Sequence, residues 1–428
     1  MFTLYSFLFA IGFILMTPVF LLKREKYAAG FWQRLGFLPE FAPDERRVVW
    51  LHCVSVGETN AARPLVDELA KRFPAHRLIV STTTKTGQDL ARNIFKDKAE
   101  AVFYFPFDFR FSVRRALRRF KPSAILLVET EIWFNFVREA DKSGASLAIV
   151  NGRLSEKSFR NYSYIGNFIR RVLSLIDLVL TQSDADAKRF VALGAAAEKV
   201  KVTGNLKFDQ SFEPSALTET FRARFAIDEK SPLIVAASTH APEERWILEA
   251  FGKLRKDFPH NPPRLLVVPR HPERFAEVAE LIDKTGFERV RRSEKPSEKD
   301  ARADVILLDT IGELRAVYPL AEIVFVGGSL IPHGGQSILE PAVAGKAIVT
   351  GFYTMNFAAA VKEFLASGAL VRLPAAGENR VADDLAGAFA ELLEDAEKRR
   401  ALAANAFAVM RENRGATAKT IEHLQTFF

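Results

Sequence analysis

The sequence predicts an α/β protein built from two doubly wound parallel sheets, preceded by a membrane-anchor helix. From Arg47 onward, short β-branched apolar runs alternate with helical patterns, the signature of strand–helix–strand crossovers in a parallel sheet. The alternation lapses across residues 208–230 and then starts afresh, as two domains of one architecture would. A chain of 428 residues has room for two or three domains. Ahead of everything, Phe2–Leu22 carries no charged side chain.

That first stretch is long enough to cross a bilayer, which takes about 20 apolar residues. Lys23, Arg24 and Lys26 follow at once. A cleavable leader would carry its charge before the apolar run and a small-residue site after it. The positive-inside rule then places the rest of the chain in the cytoplasm, at an inner membrane. Pro18 and the threonines leave open a shallow anchor within one leaflet. Residues 27–41 carry Phe31, Trp32, Leu35, Phe37 and Leu38 at helical spacing, to dip into headgroups or to pack on the next domain.

Residues 48–54 form the first apolar run, broken by Ser55-Val56-Gly57; helical spacing resumes at Ala61, Leu65, Val66 and Leu69. Strand, turn and helix open a β-α-β unit, whose ligands bind outside the carboxyl ends of its strands. Glu58 stands there, as a carboxylate placed to take a proton or as a cap on the helix start. The helix dipole is expected to favour its ionised form. Further strands are expected at 78–80, 101–105, 124–128, 146–150 and 178–180. Between two of them, residues 110–121 form a basic amphipathic helix with Arg114, Arg115, Arg118, Arg119 and Lys121, suited to an anionic membrane or to plain solvent. The second series runs 233–237, 265–268, 305–308, 323–326 and 347–349. Two such halves make a cleft faced by the carboxyl ends of both sheets. Residues 381–428 read as amphipathic helices. The expected division is an anchor at 1–22, a first domain at 23–207, a linker at 208–230, a second domain at 231–402 and terminal helices at 403–428.

Composition narrows the function. The chain is 48% hydrophobic and 26% charged, which is globular, and its single cysteine, Cys53, excludes a disulfide framework or a cysteine-based metal site. No metal or cofactor is expected. The net charge of +8 calls for an anionic partner, and 37 phenylalanines, several near the N-terminus, favour a membrane surface over a nucleic acid polymer.

Polar motifs cluster at the strand ends. Glu129-Thr130-Glu131-Ile132-Trp133 and Asn151-Gly152-Arg153-Leu154-Ser155 lie in the first half, and Thr203-Gly204-Asn205-Leu206-Lys207-Phe208-Asp209 at the hinge. The second half has Ser238-Thr239-His240, Pro269-Arg270-His271-Pro272-Glu273-Arg274-Phe275, Gly327-Gly328-Ser329 and Gly334-Gly335-Gln336-Ser337-Ile338-Leu339-Glu340-Pro341. Glycines let backbone amides approach a phosphate, though a tight turn needs them too. Arg270 could grip a phosphate or carboxylate through two hydrogen bonds, and Glu340 could accept from ribose hydroxyls. His240 and His271 are not spaced as a metal pair on one helix and read as polar cleft residues.

With Val54-Ser55-Val56-Gly57-Glu58, these motifs in this order resemble the lipid A-specific 3-deoxy-D-manno-octulosonic acid (Kdo) transferases, over almost the whole chain. The resemblance implies a GT-B glycosyltransferase that moves Kdo from CMP-Kdo to a lipid A precursor. It implies Glu58 as catalytic base, Glu131 and Arg153 on the acceptor side, and Lys207, Ser238, Arg270, His271, Gly328, Gly335 and Glu340 on the donor side. Two departures fall on the phosphate contacts. The family's Gly-Gly pair is followed by His-Asn, where this chain has Gln336-Ser337, and Gly351-Phe352-Tyr353 replaces a Gly-Pro-His-type turn. A nucleotide-sugar epimerase or hydrolase of the same fold is the alternative; a membrane scaffold would need none of Glu58, Glu131, Arg270 and Glu340.

Overall fold

The computed structural model describes residues 1–22 (main chain alone for 19–22), 29–42, 44–210, 215–228 and 231–428. Lys23, Arg24, Lys26, Tyr27 and Pro214 lie outside them. The described residues divide into two compact units, Met1–Asp209 with Asn413–Phe428, and Gln210–Glu412.

The first unit holds strands β1 (Val48–Cys53), β2 (Arg77–Thr82), β3 (Ala101–Tyr104), β4 (Pro122–Val128), β5 (Ser146–Gly152), β6 (Leu178–Thr181) and β7 (Val200–Val202). They pair in the order β3-β2-β1-β4-β5-β6-β7, all parallel. Leu51 lies opposite Val80 on one side and Leu126 on the other. Helices cover both faces, so β1 is buried along its whole length and reads as an unbroken apolar run. Its side chains alternate between two cores. Trp50 points to Phe103, Phe120 and Phe136, and Leu51 to the face that holds Val80 and Leu126.

The second unit repeats the plan. Its strands are β8 (Leu233–Thr239), β9 (Arg264–Pro269), β10 (Arg289–Arg291), β11 (Val305–Leu307), β12 (Ile323–Val326), β13 (Ala347–Thr350) and β14 (Val371–Arg372), in the order β10-β11-β9-β8-β12-β13-β14. In each sheet the order reverses beside its first strand, between β1 and β4 and between β8 and β12. Such a switch point leaves a crevice at the carboxyl ends of the strands. The edge strands β7, β10 and β14 were not legible, because two or three half-exposed residues carry no apolar run.

The interval 208–230 is not loop throughout. It contains a helix, Ala216–Arg224, started by Ser215 Oγ accepting the Thr218 N–H at 3.3 Å. Residue 402 falls inside the helix Ala396–Glu412, so the second unit runs past the expected boundary. The last helix, Ala416–Leu424, returns to the first unit because Asp209 accepts the N–H groups of Gly415 (2.7 Å) and Thr417, while Ile421 and Leu424 enter the core. Of residues 27–41, the described part forms one helical turn, Phe31–Arg34.

Phe2–Leu22 is helical as expected. Along one side it docks on its own domain. Phe2 is buried against Phe168, Tyr5 Oη donates to Asp108 Oδ2 at 2.7 Å, Ser6 Oγ donates to Asn135 Oδ1 at 3.0 Å, and Phe9 and Phe13 meet Phe109 and Phe107 edge-on. Asp108 also accepts the N–H groups of Asn135 (3.0 Å) and Phe136 (2.7 Å), at the start of the helix Phe134–Lys142. Among the described residues, no helix is long and apolar enough to cross a membrane.

Candidate active site

At the first switch point, β1 ends and Ser55 opens the helix Val56–Arg72. Glu58 folds back over that start, where Oε2 accepts the Val54 N–H at 2.6 Å and Oε1 the Ser55 hydroxyl at 3.2 Å. The capping geometry is therefore real, and it leaves acceptor positions on the carboxylate over. The expected ionised form is not what results. Burial, then the neighbouring Glu129, pushes the Glu58 pKa up to about 8, against the Val54 N–H. Loss of water outweighs the helix dipole.

Beyond β4, Glu129 adopts a left-handed backbone (φ 62°) that an L-residue enters only at a cost, and Lys207 Nζ pairs with its Oε1 at 2.8 Å. Burial raises the Glu131 carboxyl to about 7, and Glu129 adds to the rise. Asn151, also left-handed (φ 55°), accepts the Leu206 N–H at 3.0 Å and so holds the Lys207 segment at the end of the sheet. Lys207, expected on the donor side, thus belongs to the first unit as the cation of a carboxylate cluster. The hinge motif is tied to β5 by Asn151, which its sequence position did not reveal. The Arg153 carbonyl accepts from the Thr130 hydroxyl, while its side chain is exposed with no ion-pair partner among the described residues.

In the second unit, Ser238, one residue before the end of β8, is left-handed at φ 55°, and Gly327-Gly328 directly follow β12. A side chain at position 327 would place its Cβ 2.6 Å from the Ser238 carbonyl oxygen, so the two strand ends approach only with glycine there. The glycine amides do not face outward as expected. The Glu243 carboxylate fills the turn, accepting the N–H groups of Gly328 (2.7 Å), Ser329 (3.0 Å), Leu330 (2.9 Å) and His240 (2.9 Å). The Gly335 N–H goes to the Gly328 carbonyl at 2.7 Å. Gly328 and Gly335 shape the pocket but lend it no free N–H, because an internal carboxylate already occupies the anion seat of the turn. The helix after them is one turn, Leu339–Val343. Burial pushes the Glu340 carboxyl up against the pull of Arg315 and Arg270.

Positive groups replace the amides. Arg270 is exposed at the end of β9, with no ion-pair partner among the described residues. His240 lies buried beneath His271 and His333, with ring centroids 5.2 and 4.1 Å away. Burial, then those two rings with Arg270 and Arg274, lowers its pKa to about 4. Among the described residues, no group of three or more His, Cys, Asp or Glu side chains is arranged to hold a metal ion. Glu243, Glu244 and His333 escaped the sequence reading. A Glu-Glu pair just after the strand-end His240, and a histidine directly before two glycines, were the available signals.

Two doubly wound sheets, with carboxylates at one switch point and cations at the other, have the architecture of a GT-B glycosyltransferase. Residues 29–210 match the family described as 3-Deoxy-D-manno-octulosonic-acid transferase (kdotransferase). The chain is 33% identical over 407 residues to the 3-deoxy-D-manno-octulosonic acid transferase of Haemophilus influenzae, covering 95% of this chain and 93% of that one. It is 35% identical over 416 residues to the transferase of the same name from Bordetella pertussis, covering 94% of each. Among solved structures, UDP-GlcNAc 2-epimerase from Neisseria meningitidis bound to UDP-GlcNAc superposes with a TM-score of 0.60 at 16% identity, over 89% of this chain and 100% of that one, a likeness of fold alone. The chain belongs to the Kdo transferase family, glycosyltransferases of lipopolysaccharide biosynthesis. The epimerase or hydrolase alternative gives way to that membership.

Proposed function

We propose that this enzyme transfers Kdo from CMP-Kdo to a lipid A precursor of the lipid IVA type, at the cytoplasmic face of the inner membrane, with Glu58 as general base. The observation that carries the reading is the buried Glu58 carboxylate at the first switch point, its pKa raised to about 8, near the operating pH of a base. Glu58 takes the proton of the acceptor hydroxyl, the oxygen bonds to the anomeric carbon of Kdo, and the bond from that carbon to the CMP phosphate breaks. CMP departs as a stable anion, so its leaving needs cations rather than an acid, and Arg270 with the imidazoles of the second unit supplies them. Glu131 and Arg153 are assigned to the acceptor, and Ser238 and Glu340 to the donor. No metal or cofactor enters the scheme.

The membrane reading rests on one continuous surface. The outer side of the helix Phe2–Leu22 exposes Phe7, Leu8, Ile14 and Leu15, each more than half accessible. Ring contacts continue it from Phe13 through Phe109 to Phe111, and from Arg115 to Phe37 and Trp32. An apolar patch edged by arginines suits the headgroup region, and the docked side of the helix favours a shallow anchor. The basic helix is more than a solvated face. Arg110 and Arg114 pair with the buried Glu139 at 3.1 and 2.6 Å, and Arg115 and Arg119 hold the carbonyls of Leu35 and Pro39.

Incubation with CMP-Kdo and lipid IVA, read by mass spectrometry, tests the reaction; a lipid that gains no Kdo refutes it. For the surface, Phe7→Glu with Leu15→Glu should release the enzyme from vesicles containing anionic lipid. Undiminished binding would place the contact elsewhere.

A further inference from the structure

The donor site has an unusual source of charge. In many phosphate sites the amides of a glycine turn carry the load. Here Glu243 has taken them, with four N–H groups on one carboxylate. A phosphate arriving at this turn must be neutralised by side chains. Those at hand are Arg270, exposed at the end of β9, and three imidazoles that come from three separate segments: His240 after β8, His271 after β9 and His333 after β12.

We propose that His240, His271 and His333 form one proton-accepting seat for the donor phosphate, and that the seat takes up a proton from solvent when the nucleotide binds. This rests on the donor-site reading given above. The geometry supports it in three ways. His333 lies 4.1 Å from His240, ring to ring, and His271 stands edge-on at 5.2 Å, so a charge on any one ring is felt by the others. The surroundings of His240 are positive, with Arg270 and Arg274 beside it; the nearby carboxylates are otherwise engaged. Glu243 is spent on backbone N–H groups, and Glu244 on Arg274 Nη1 at 2.6 Å and on the Thr239 hydroxyl at 2.8 Å. Glu273 stands 3.8 Å from the outer ring, His271. An empty seat therefore holds its inner imidazole neutral, and burial with the neighbouring cations keeps His240 near 4. An incoming phosphate reverses the balance, since a nearby anion favours the protonated ring.

Gln336 fits both states. Its Nε2 lies 3.2 Å from His240 Nε2 and donates to the neutral ring; a half-turn of the amide would present Oε1 to the protonated one. His333, three residues before Gln336, brings an imidazole to the same turn. The proton gained also answers the chemistry, because the CMP phosphate goes from one negative charge to two as the sugar bond breaks.

The test is calorimetric titration of the full-length enzyme with CMP at pH 8, where free CMP is already a dianion, in two buffers of different ionisation enthalpy. Wild type should show a buffer-dependent enthalpy corresponding to proton uptake, and a CMP affinity that weakens as pH rises. His333→Gln, an exposed change, should keep the fold, bind CMP about tenfold more weakly and take up fewer protons. CMP binding without uptake, or a His333→Gln variant equal to wild type in both respects, overturns the proposal and leaves the donor site standing. A wild-type enzyme that does not bind CMP overturns the donor-site reading and the proposal with it.

Discussion

The two switch points are electrostatic opposites made by one cause. In the first unit, burial lifts the carboxyls of Glu58 and Glu131 to about 8 and 7. In the second, burial drops His240 to about 4. Each of these buried groups is thereby shifted toward its neutral form, because charge is costly away from water. In the proposed reaction Glu58 gives up its proton in order to act as a base, while in the proposed seat the imidazoles accept one in order to hold an anion. On that reading the same desolvation prepares a base in one sheet and an anion seat in the other. Which of these results depends on whether carboxylates or imidazoles stand at the strand ends.

The strongest test of the contrast is Glu58→Gln. Turnover should fall by about 10²-fold or more, the usual scale for a lost general base, with CMP affinity retained. A variant with full turnover would remove the base from the first unit. Next in size, Arg270→Ala should weaken CMP binding by about 10–100-fold, the scale of a lost charge-assisted hydrogen bond, and leave acceptor binding unchanged. Calorimetry with CMP decides that; equal affinity would put the nucleotide elsewhere.

The pH profile sharpens the comparison further. Only the ionised form of Glu58 acts as a base, so kcat/KM for the acceptor should climb up to about tenfold per pH unit and level off above about 8. A profile flat from pH 6 to 8 would mean that some other group takes the proton. Stability should run the opposite way. A carboxyl whose folded pKa exceeds its unfolded value contributes stability at low pH that is lost as pH rises from about 4.5 to about 8. Gln cannot ionise, so Glu58→Gln should melt above wild type at pH 8 and alongside it near pH 4.5. Scanning calorimetry at the two pH values checks the sign.

The smallest effect concerns the N-terminal helix. Tyr5→Phe removes a donor from the buried Asp108, whose pKa burial raises to about 7. The loss should cost about 1–3 kcal/mol of stability without changing turnover at saturating substrates. Denaturant melts compared with wild type give the measure; an unchanged midpoint would make the contact incidental. Deleting residues 1–22 is a harsher change than the sequence implies, since it also uncovers the pocket of Phe2.

The sequence by itself determined both sheets, their parallel sense, and which strand ends carry polar groups. Apolar runs between helices report burial on two faces, and that pattern is local. The placement of Arg270 and His271 was legible for the same reason, directly after such a run; Glu58 and Glu131 were legible just beyond the ends of their runs, and Glu340 from the glycine motif before it. Only the tertiary structure decided how those groups behave. The upward shift of Glu58 depends on burial and then on Glu129 across the switch point, the partner of Lys207 depends on Asn151 holding the hinge, and the glycine turn is closed by Glu243 from a different strand end. Likewise Asp108 meets Tyr5 across 103 residues of chain. Desolvation and hydrogen-bond partnership are set by neighbours in space, and no spacing along the chain states who those neighbours are.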